Sequence, residues 1–404
     1  MNSDIRAQFP ILHQEINGRP LVYLDNAATV QKPQCVLDVS QRYYSELNAN
    51  IHRGVHYLSR KATDAHEAAR TSIAKYLNAP HEHEVIFTSG TTDGINLVAD
   101  TLSLSGKITS GDRILISGLE HHSNIVPWQM LCERTGASLD VIPITDSGEW
   151  DLSDIDSLLT EQTKLVAVNQ VSNALGTINP VDILIGKAKK VGAWTLIDGA
   201  QSAPHMAVDV QAIGCDFFVF SGHKTYAPTG IGILWGRTEL LEMLPPWRGG
   251  GEMIKQVTFE KTTYNELPFK YEAGTPNIEG GIALAAALEW MQDIGLDTIA
   301  AHEDKLLTLT TEAISEIDGI KIYGTAPNKA SVLSFGIEGI HHFDLGTLMD
   351  QMGVGVRTGH HCCQPLMQRF GITGTTRASF AIYNTEQEVE ALITAVKKAS
   401  MMLR

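Results

Sequence analysis

Between residues 84 and 236 the chain repeats one pattern: a short apolar, β-prone run, a polar turn, then a stretch with helical periodicity. The runs are EVIF (84–87), RILIS (113–117), KLVAVNQVS (164–172), AWTLID (193–198), FFVFS (217–221) and IGILWG (231–236). Helical stretches begin near Thr92, contain IVPWQMLCER, and cover 181–191. Strands that read as continuous apolar runs are those buried on both faces. Their alternation with helices predicts an α/β fold with a mostly parallel sheet covered on both sides. Ligands of such sheets bind beyond the carboxyl ends of the strands.

Every polar cluster of interest falls at such an end: Ser89–Thr92, Glu120–Asn124, Asn173, Asp198–Gln201 and Ser221–Lys224. TSGTTDGIN (88–96) follows a strand and opens a helix, a setting that offers free N–H groups and a favourable dipole to an anion. An ordinary Ser/Thr helix cap explains the same residues. Asp198 ends the buried run TLI, where an ionised carboxylate is costly unless paired. A pyridinium nitrogen is a suitable partner, and a plain strand-end turn is the alternative. Lys224 follows FFVF, where partial desolvation lowers an amine's pKa and favours imine formation with an aldehyde. An exposed loop lysine is the commoner fate. The convergence of five clusters on one sheet edge points to one site.

After about residue 260 the pattern changes. A long apolar helix begins near Gly280 and an amphipathic one covers 298–317. Shorter strands (KIYG, SVLSFGI, VGVRTG, TTRASFAIY) then mix with helices after His342 and from Glu386. A large domain over 16–270 and a smaller α+β domain over 271–404, with residues 1–15 added to it, follow. Length alone suits two or three domains for 404 residues, because single cores stop growing near ~250–300 residues.

The net charge of −15 argues against nonspecific binding to nucleic acid or anionic membranes. No apolar stretch approaches the ~18 residues of a membrane span. MNSDIRAQFP lacks the basic-then-apolar order of a secretory signal, so a cytoplasmic location is expected. The five cysteines, Cys35, Cys132, Cys215, Cys362 and Cys363, are odd in number and contain no C-x-x-C pair. Neither a disulfide framework nor a bound metal is expected.

Taken together, SGTT, EHH, SN, DGAQ and SGHK resemble the class V aminotransferase-like branch of the pyridoxal-phosphate enzymes, which has the type I fold with a seven-stranded sheet. With LVYLDNAAT (21–29), NANIHRGVH (48–56), EAGTPN (272–277), RTGHHC (357–362) and RASFAIYNT (377–385), the resemblance is to group II, Suf-type cysteine desulfurases over essentially the whole chain.

That resemblance implies roles. Lys224 carries the cofactor and moves protons, Asp198 pairs with the pyridine nitrogen, and His121 stacks on the ring and helps proton transfer. Gln201 meets the ring hydroxyl. Thr91, Thr92, Ser221 and His223 hold the phosphate, and Thr275 reaches the phosphate of the other subunit of a homodimer. Arg377 clamps the substrate carboxylate, helped by Asn173, with His52, Arg53 and Arg357 bordering the site.

The nucleophile is placed at Cys362 in R-x-G-x-x-C, with His360, His361 and Arg357 near enough to favour its thiolate. Cys363 departs from the family pattern, which has a small residue there. Its side chain is expected to point away, and a vicinal disulfide is expected to be too strained to matter. The implied reaction takes sulfur from L-cysteine, and by the same chemistry selenium from L-selenocysteine. It leaves alanine and a persulfide that passes to a small acceptor protein of the E-type or the zinc-binding U-type. Iron–sulfur cluster assembly is the expected destination. His341 and His342 are candidates for metal-assisted docking of that acceptor. Selenocysteine lyase, kynureninase-like or epimerase chemistry on the same fold would keep Lys224 and Asp198 without needing Cys362, and a non-catalytic scaffold would need none of them.

Overall fold

The structure is a computed structural model describing residues 2–404. Its centre is a seven-stranded sheet of β1 (Val85–Thr88), β2 (Arg113–Ser117), β3 (Ser138–Ile142), β4 (Thr163–Asn169), β5 (Trp194–Asp198), β6 (Phe217–Ser221) and β7 (Gly232–Gly236), in spatial order β1-β7-β6-β5-β4-β2-β3. All neighbouring pairs are parallel except those of β7, which runs antiparallel between β1 and β6. The expected mostly parallel sheet is therefore present, with one inverted strand.

Side-chain alternation explains why these runs are apolar throughout. Val85, Phe87, Phe218, Phe220, Ile233 and Trp235 face one buried cluster. Ile86, Phe217, Val219 and Leu234, at the intervening positions, face a second cluster on the other side. A strand's side chains alternate between faces, so a sheet covered on both faces needs apolar residues at both parities. β3 is the element the sequence pattern did not reveal. It is an edge strand whose burial is incomplete, and its Asp140 pairs with Arg113 of β2.

The helices packed on the two faces of this sheet include α1 (Tyr57–Tyr76), α2 (Thr91–Leu104) and α3 (Ile278–Ile294). α3 packs along α1, and Asn277 caps it by accepting from Gly280 N–H at 2.9 Å. The C-terminal part forms a four-stranded antiparallel sheet of β8 (Ile320–Tyr323), β9 (Val332–Ile337), β10 (Arg357–Gly359) and β11 (Thr375–Ser379), in the order β8-β9-β11-β10. The helices Leu296–Ser315, His342–Gln351 and Glu386–Leu403 cover it.

The core clusters divide the chain differently from the expected boundaries. Val22 and Leu24 lie in the cluster under the small sheet, because Val22–Tyr23 pairs in parallel with Val354–Gly355. Conversely, Phe9 packs on Tyr226 and Trp290 as well as Tyr383, so the first residues bridge both parts. Residues 22–30 form a strap between the two. Ala27 N–H donates to Ser379 Oγ at 2.8 Å on the small-sheet side, and Val30 N–H donates to His223 O at 3.1 Å on the large-sheet side.

Candidate active site

A cavity of about 290 Å³ opens beyond the carboxyl ends of β1, β4, β5 and β6, and is closed from the small-sheet side by Arg357, Arg377 and the 360–363 turn. Thr91, Thr92, His121, Asn173, Asp198, Gln201, Ser221, His223, Lys224, Arg357, Cys362 and Arg377 all line it.

One wall is an anion cradle. Gly90, just before α2, has φ +146°, a conformation that L side chains rarely adopt, and a Cβ there would sit 3.2 Å from Ser221 Oγ. The turn brings Thr91 N–H within 2.8 Å of Ser221 Oγ, and the two hydroxyls are also 2.8 Å apart. Gly232 permits this from behind, since a Cβ on it would meet Gly90 Cα at 2.4 Å. His223 is held neutral, its pKa pushed down to about 4 by burial and the Lys224 charge.

At the floor, Asp198 Oδ1 accepts from Ala200 N–H at 2.9 Å. Burial pushes its carboxyl pKa up, while the Ala200 N–H and Lys224 oppose that rise. Lys224 sits in the turn Gly222–Lys224 directly after β6. Burial pulls its ammonium pKa down and Asp198 pulls it back. His121 is neutral, with a pKa lowered to about 3 by burial and by Lys224. Its Nδ1 accepts from Ser123 N–H at 3.0 Å, which puts the proton on Nε2. Gln201 Nε2 donates to Ala27 O at 2.7 Å, leaving one amide hydrogen for another acceptor.

The third wall carries the cations and the thiol. Arg377 is buried on β11. Its Nη1 donates to Asn173 O at 2.8 Å and Nη2 reaches Asp25 Oδ1 at 3.3 Å, while buried Nε has no partner. Arg357, its cross-strand partner, holds the same Asp25 carboxylate through Nε and Nη2 at 3.0 and 2.8 Å.

His361 and Cys362 have φ of 52° and 56°, a costly left-handed pair for residues with a Cβ. Hydrogen bonds hold the turn. Cys362 N–H donates to His360 Nδ1 at 3.0 Å, His122 N–H to Cys362 O at 2.8 Å, and Asn173 Nδ2 to His361 O at 2.8 Å. Cys362 is exposed into the cavity. Cys363 is fully buried, its Sγ donates to Asn173 Oδ1 at 3.2 Å, and burial pushes its thiol pKa up to about 12.

Two expectations change, those for His361 and His52. His361 supplies no positive charge to the thiol, because burial, Arg377 and Arg357 push its pKa down to about 2. His52 and Thr275 do not line this cavity. They share a separate shallow depression with Arg53 and Glu252, where His52 Nε2 is 2.9 Å from Glu67 Oε1. Within one chain nothing carries them to Lys224. His341 caps a helix through Nδ1, which accepts from Phe343 N–H at 3.3 Å.

Two further residues of the site had no role on sequence grounds. Asp25 lies in LVYLDNAAT, and Glu120 precedes the two histidines. Glu120 is buried, accepts from Ser117 Oγ and from Asn124 Nδ2 at 2.6 Å, and has its pKa pushed up to about 8 by burial. A carboxylate adjoining a motif and close to apolar residues was the available signal for both.

Residues 22–392 match the sequence pattern described as Aminotransferase class-V. The chain belongs to that family. A probable cysteine desulfurase of Vibrio cholerae is 51% identical to this class-V aminotransferase family member over 99% of the chain and 98% of that protein. A cysteine desulfurase of Dickeya dadantii is 46% identical over 99% and 97%. Among solved structures, the cysteine desulfurase CsdA from Escherichia coli superposes with a TM-score of 0.93 at 40% identity, covering 100% of this chain and 99% of that one. The apo cysteine desulfurase of Thermococcus onnurineus gives the same score and identity over 99% and 98%.

The cofactor of this class-V member is pyridoxal phosphate. The cavity fits it. A buried carboxylate suits a pyridinium, a lysine of lowered pKa suits an aldehyde, and a helix N-terminus flanked by hydroxyls suits a phosphate. Arg377 Nε, buried and unpaired at the cavity wall, suits a substrate carboxylate.

Proposed function

We propose that this chain takes sulfur from L-cysteine, leaves alanine, and carries the sulfur as a persulfide on Cys362. One observation carries the reading: among the described residues the only cysteine lining the cavity of Lys224, Asp198 and Arg377 is Cys362, while Cys363 points into the core. The names of the relatives support it.

Pyridoxal phosphate supplies an electron sink for charge developing at the substrate's α-carbon. Lys224, Asp198, His121 and Gln201 hold its ring, and Thr91, Thr92, Ser221 and His223 hold its phosphate. Arg377, through Nε and Nη2, grips the substrate carboxylate, and Asn173 keeps Arg377 in place through its carbonyl. Lys224 Nζ, with its lowered pKa, removes the α-proton and returns protons to the carbon skeleton. The Cys362 thiolate forms a bond to the substrate sulfur as the substrate's carbon–sulfur bond breaks, and the skeleton leaves as alanine. Neutral His121 offers its Nε2–H as a donor facing the cavity.

The finer reading follows the group II, Suf-type pattern. Selenocysteine is a second substrate, since selenium leaves more easily than sulfur. The working unit is a homodimer in which His52, Arg53 and Thr275 complete the partner's site. Their shared depression away from the chain's own cavity supports this, as does Phe259, fully exposed on the hairpin of Ile254–Val257 and Thr262–Tyr264. The Cys362 turn is tied down at three hydrogen bonds, so a small acceptor protein of E- or U-type comes to it, in the cytoplasm, for iron–sulfur cluster assembly.

The test is to incubate the cofactor-loaded protein with L-cysteine and a thiol reductant and assay alanine and sulfide together. Equal amounts that disappear in Lys224→Ala and Cys362→Ser are expected. Full activity in Cys362→Ser would sink the assignment.

A further inference from the structure

The Asp25 carboxylate lies between two arginines that face each other across neighbouring strands, Arg357 on β10 and Arg377 on β11. Like charges at directly opposed positions repel, and Asp25 makes the arrangement tolerable. It does not treat them equally. Arg357 receives a two-pronged grip, with Nε at 3.0 Å from Oδ1 and Nη2 at 2.8 Å from Oδ2, whereas Arg377 is reached only by Nη2 at 3.3 Å.

The backbone of Asp25 is anchored near both. It bridges Ser379, two residues past Arg377, and the adjacent Leu24 N–H donates to Gly355 O at 2.9 Å, two residues before Arg357. The segment from Arg357 then runs five residues to Cys362.

We propose that Asp25 is a positioning residue that couples the capture of a substrate carboxylate at Arg377 to the placement of the Cys362 turn. The inference rests on reading Arg377 as the carboxylate site and Cys362 as the sulfur acceptor.

The electrostatics give the direction. Arg377 is buried, with Nη1 committed to Asn173 O and Nε unpaired, so an incoming carboxylate takes the Nε/Nη2 edge. Two carboxylates then crowd one buried guanidinium, and they repel each other. The longer contact, from Asp25 to Arg377, is the one that yields. Asp25 settles fully on Arg357 and firms the strand end from which the cysteine turn departs. An empty site leaves Asp25 shared and the turn less constrained, and an occupied site draws the turn into register with the substrate sulfur.

The probe is L-alanine, which has the amine and carboxylate but no sulfur. Alkylation of Cys362 in the cofactor-loaded protein by neutral iodoacetamide is followed by mass spectrometry with and without it. In the wild type L-alanine slows alkylation about fivefold, a typical coupling between two sites. In Asp25→Asn that ratio falls to about one. In turnover the same variant loses about tenfold in kcat with KM unchanged or lowered, and Asp25→Glu recovers most of it.

Slowing by L-alanine that persists in Asp25→Asn overturns the proposal, as does a loss confined to KM. Should Asp25→Asn fail to fold, Arg357→Gln keeps Asp25 and Arg377 and is expected to abolish the L-alanine effect. Its persistence there is equally fatal. A wild-type protein that makes no alanine from L-cysteine overturns the desulfurase reading itself. An active wild type whose L-alanine effect survives in the variants overturns only the role of Asp25.

Discussion

Cys363 Sγ donates to Asn173 Oδ1 across 3.2 Å, in a pocket with no solvent exposure. The adjacent Cys362 turns the other way, into the cavity. Cys363→Ala should therefore keep alanine formation within about threefold of the wild type and cost about 1 kcal/mol of stability, the net value of one buried hydrogen bond. Peptide mapping after substrate exposure should find persulfide on Cys362 alone. Persulfide on Cys363 would contradict the geometry.

Glu120 makes stability depend on pH. Its carboxyl pKa is raised from 4.5 to about 8 by burial, so the folded chain binds a proton that the unfolded chain has lost throughout that window. The stabilising effect is complete below about pH 4.5 and is lost as pH rises towards 8. Glu120→Gln, a neutral mimic of the protonated side chain, should flatten the decline of Tm between pH 5 and 8.5. Parallel Tm curves for both proteins would refute the assignment.

Arg70 and Glu272 form a buried, two-pronged ion pair at 2.8 and 3.0 Å, joining α1 to the EAGTPN segment, and Glu272 also accepts from Phe87 N–H at 2.9 Å on β1. Removing Glu272 strips buried Arg70 of its two-pronged partner and leaves it only the partly exposed Glu67 at 3.2 Å. Glu272→Ala should cost about 3–5 kcal/mol in chemical denaturation. A loss below about 1 kcal/mol, as at exposed pairs, would mean that water reaches Arg70.

Arg377→Lys keeps the charge and loses the planar fork that a carboxylate grips at two points. KM for L-cysteine should rise by about tenfold or more, equal to about 1.4 kcal/mol of binding. An unchanged KM would move the carboxylate site elsewhere.

The cofactor side of the site was legible in the sequence because a buried strand ending in a polar residue is a local pattern. Asp198, Ser221 and Lys224 each follow an apolar run, and chain direction alone puts them on one edge. The small-sheet side was legible through RTGHHC and RASFAIY, yet its electrostatics were not. The sequence places His361 beside the thiol, but only packing shows it buried, within the field of two arginines, and therefore neutral. Asp25 was hidden because its partners lie more than 330 residues away. β3 escaped because an edge strand with half-exposed residues lacks the continuous apolar signature of its neighbours.

The inverted strand β7 also governs the order in which this chain can assemble. Among the described strands of the sheet β1 touches none but β7, so Val85–Thr88 must wait for Gly232–Gly236 before it has any ladder to join. During synthesis that sticky segment emerges early and stays without its neighbour while most of the large domain is made. Pairings over such sequence separations form slowly and leave apolar edges open to misassociation. The phosphate cradle, built from Thr91 on one side and Ser221 on the other, is thus among the last parts of the large domain to be completed.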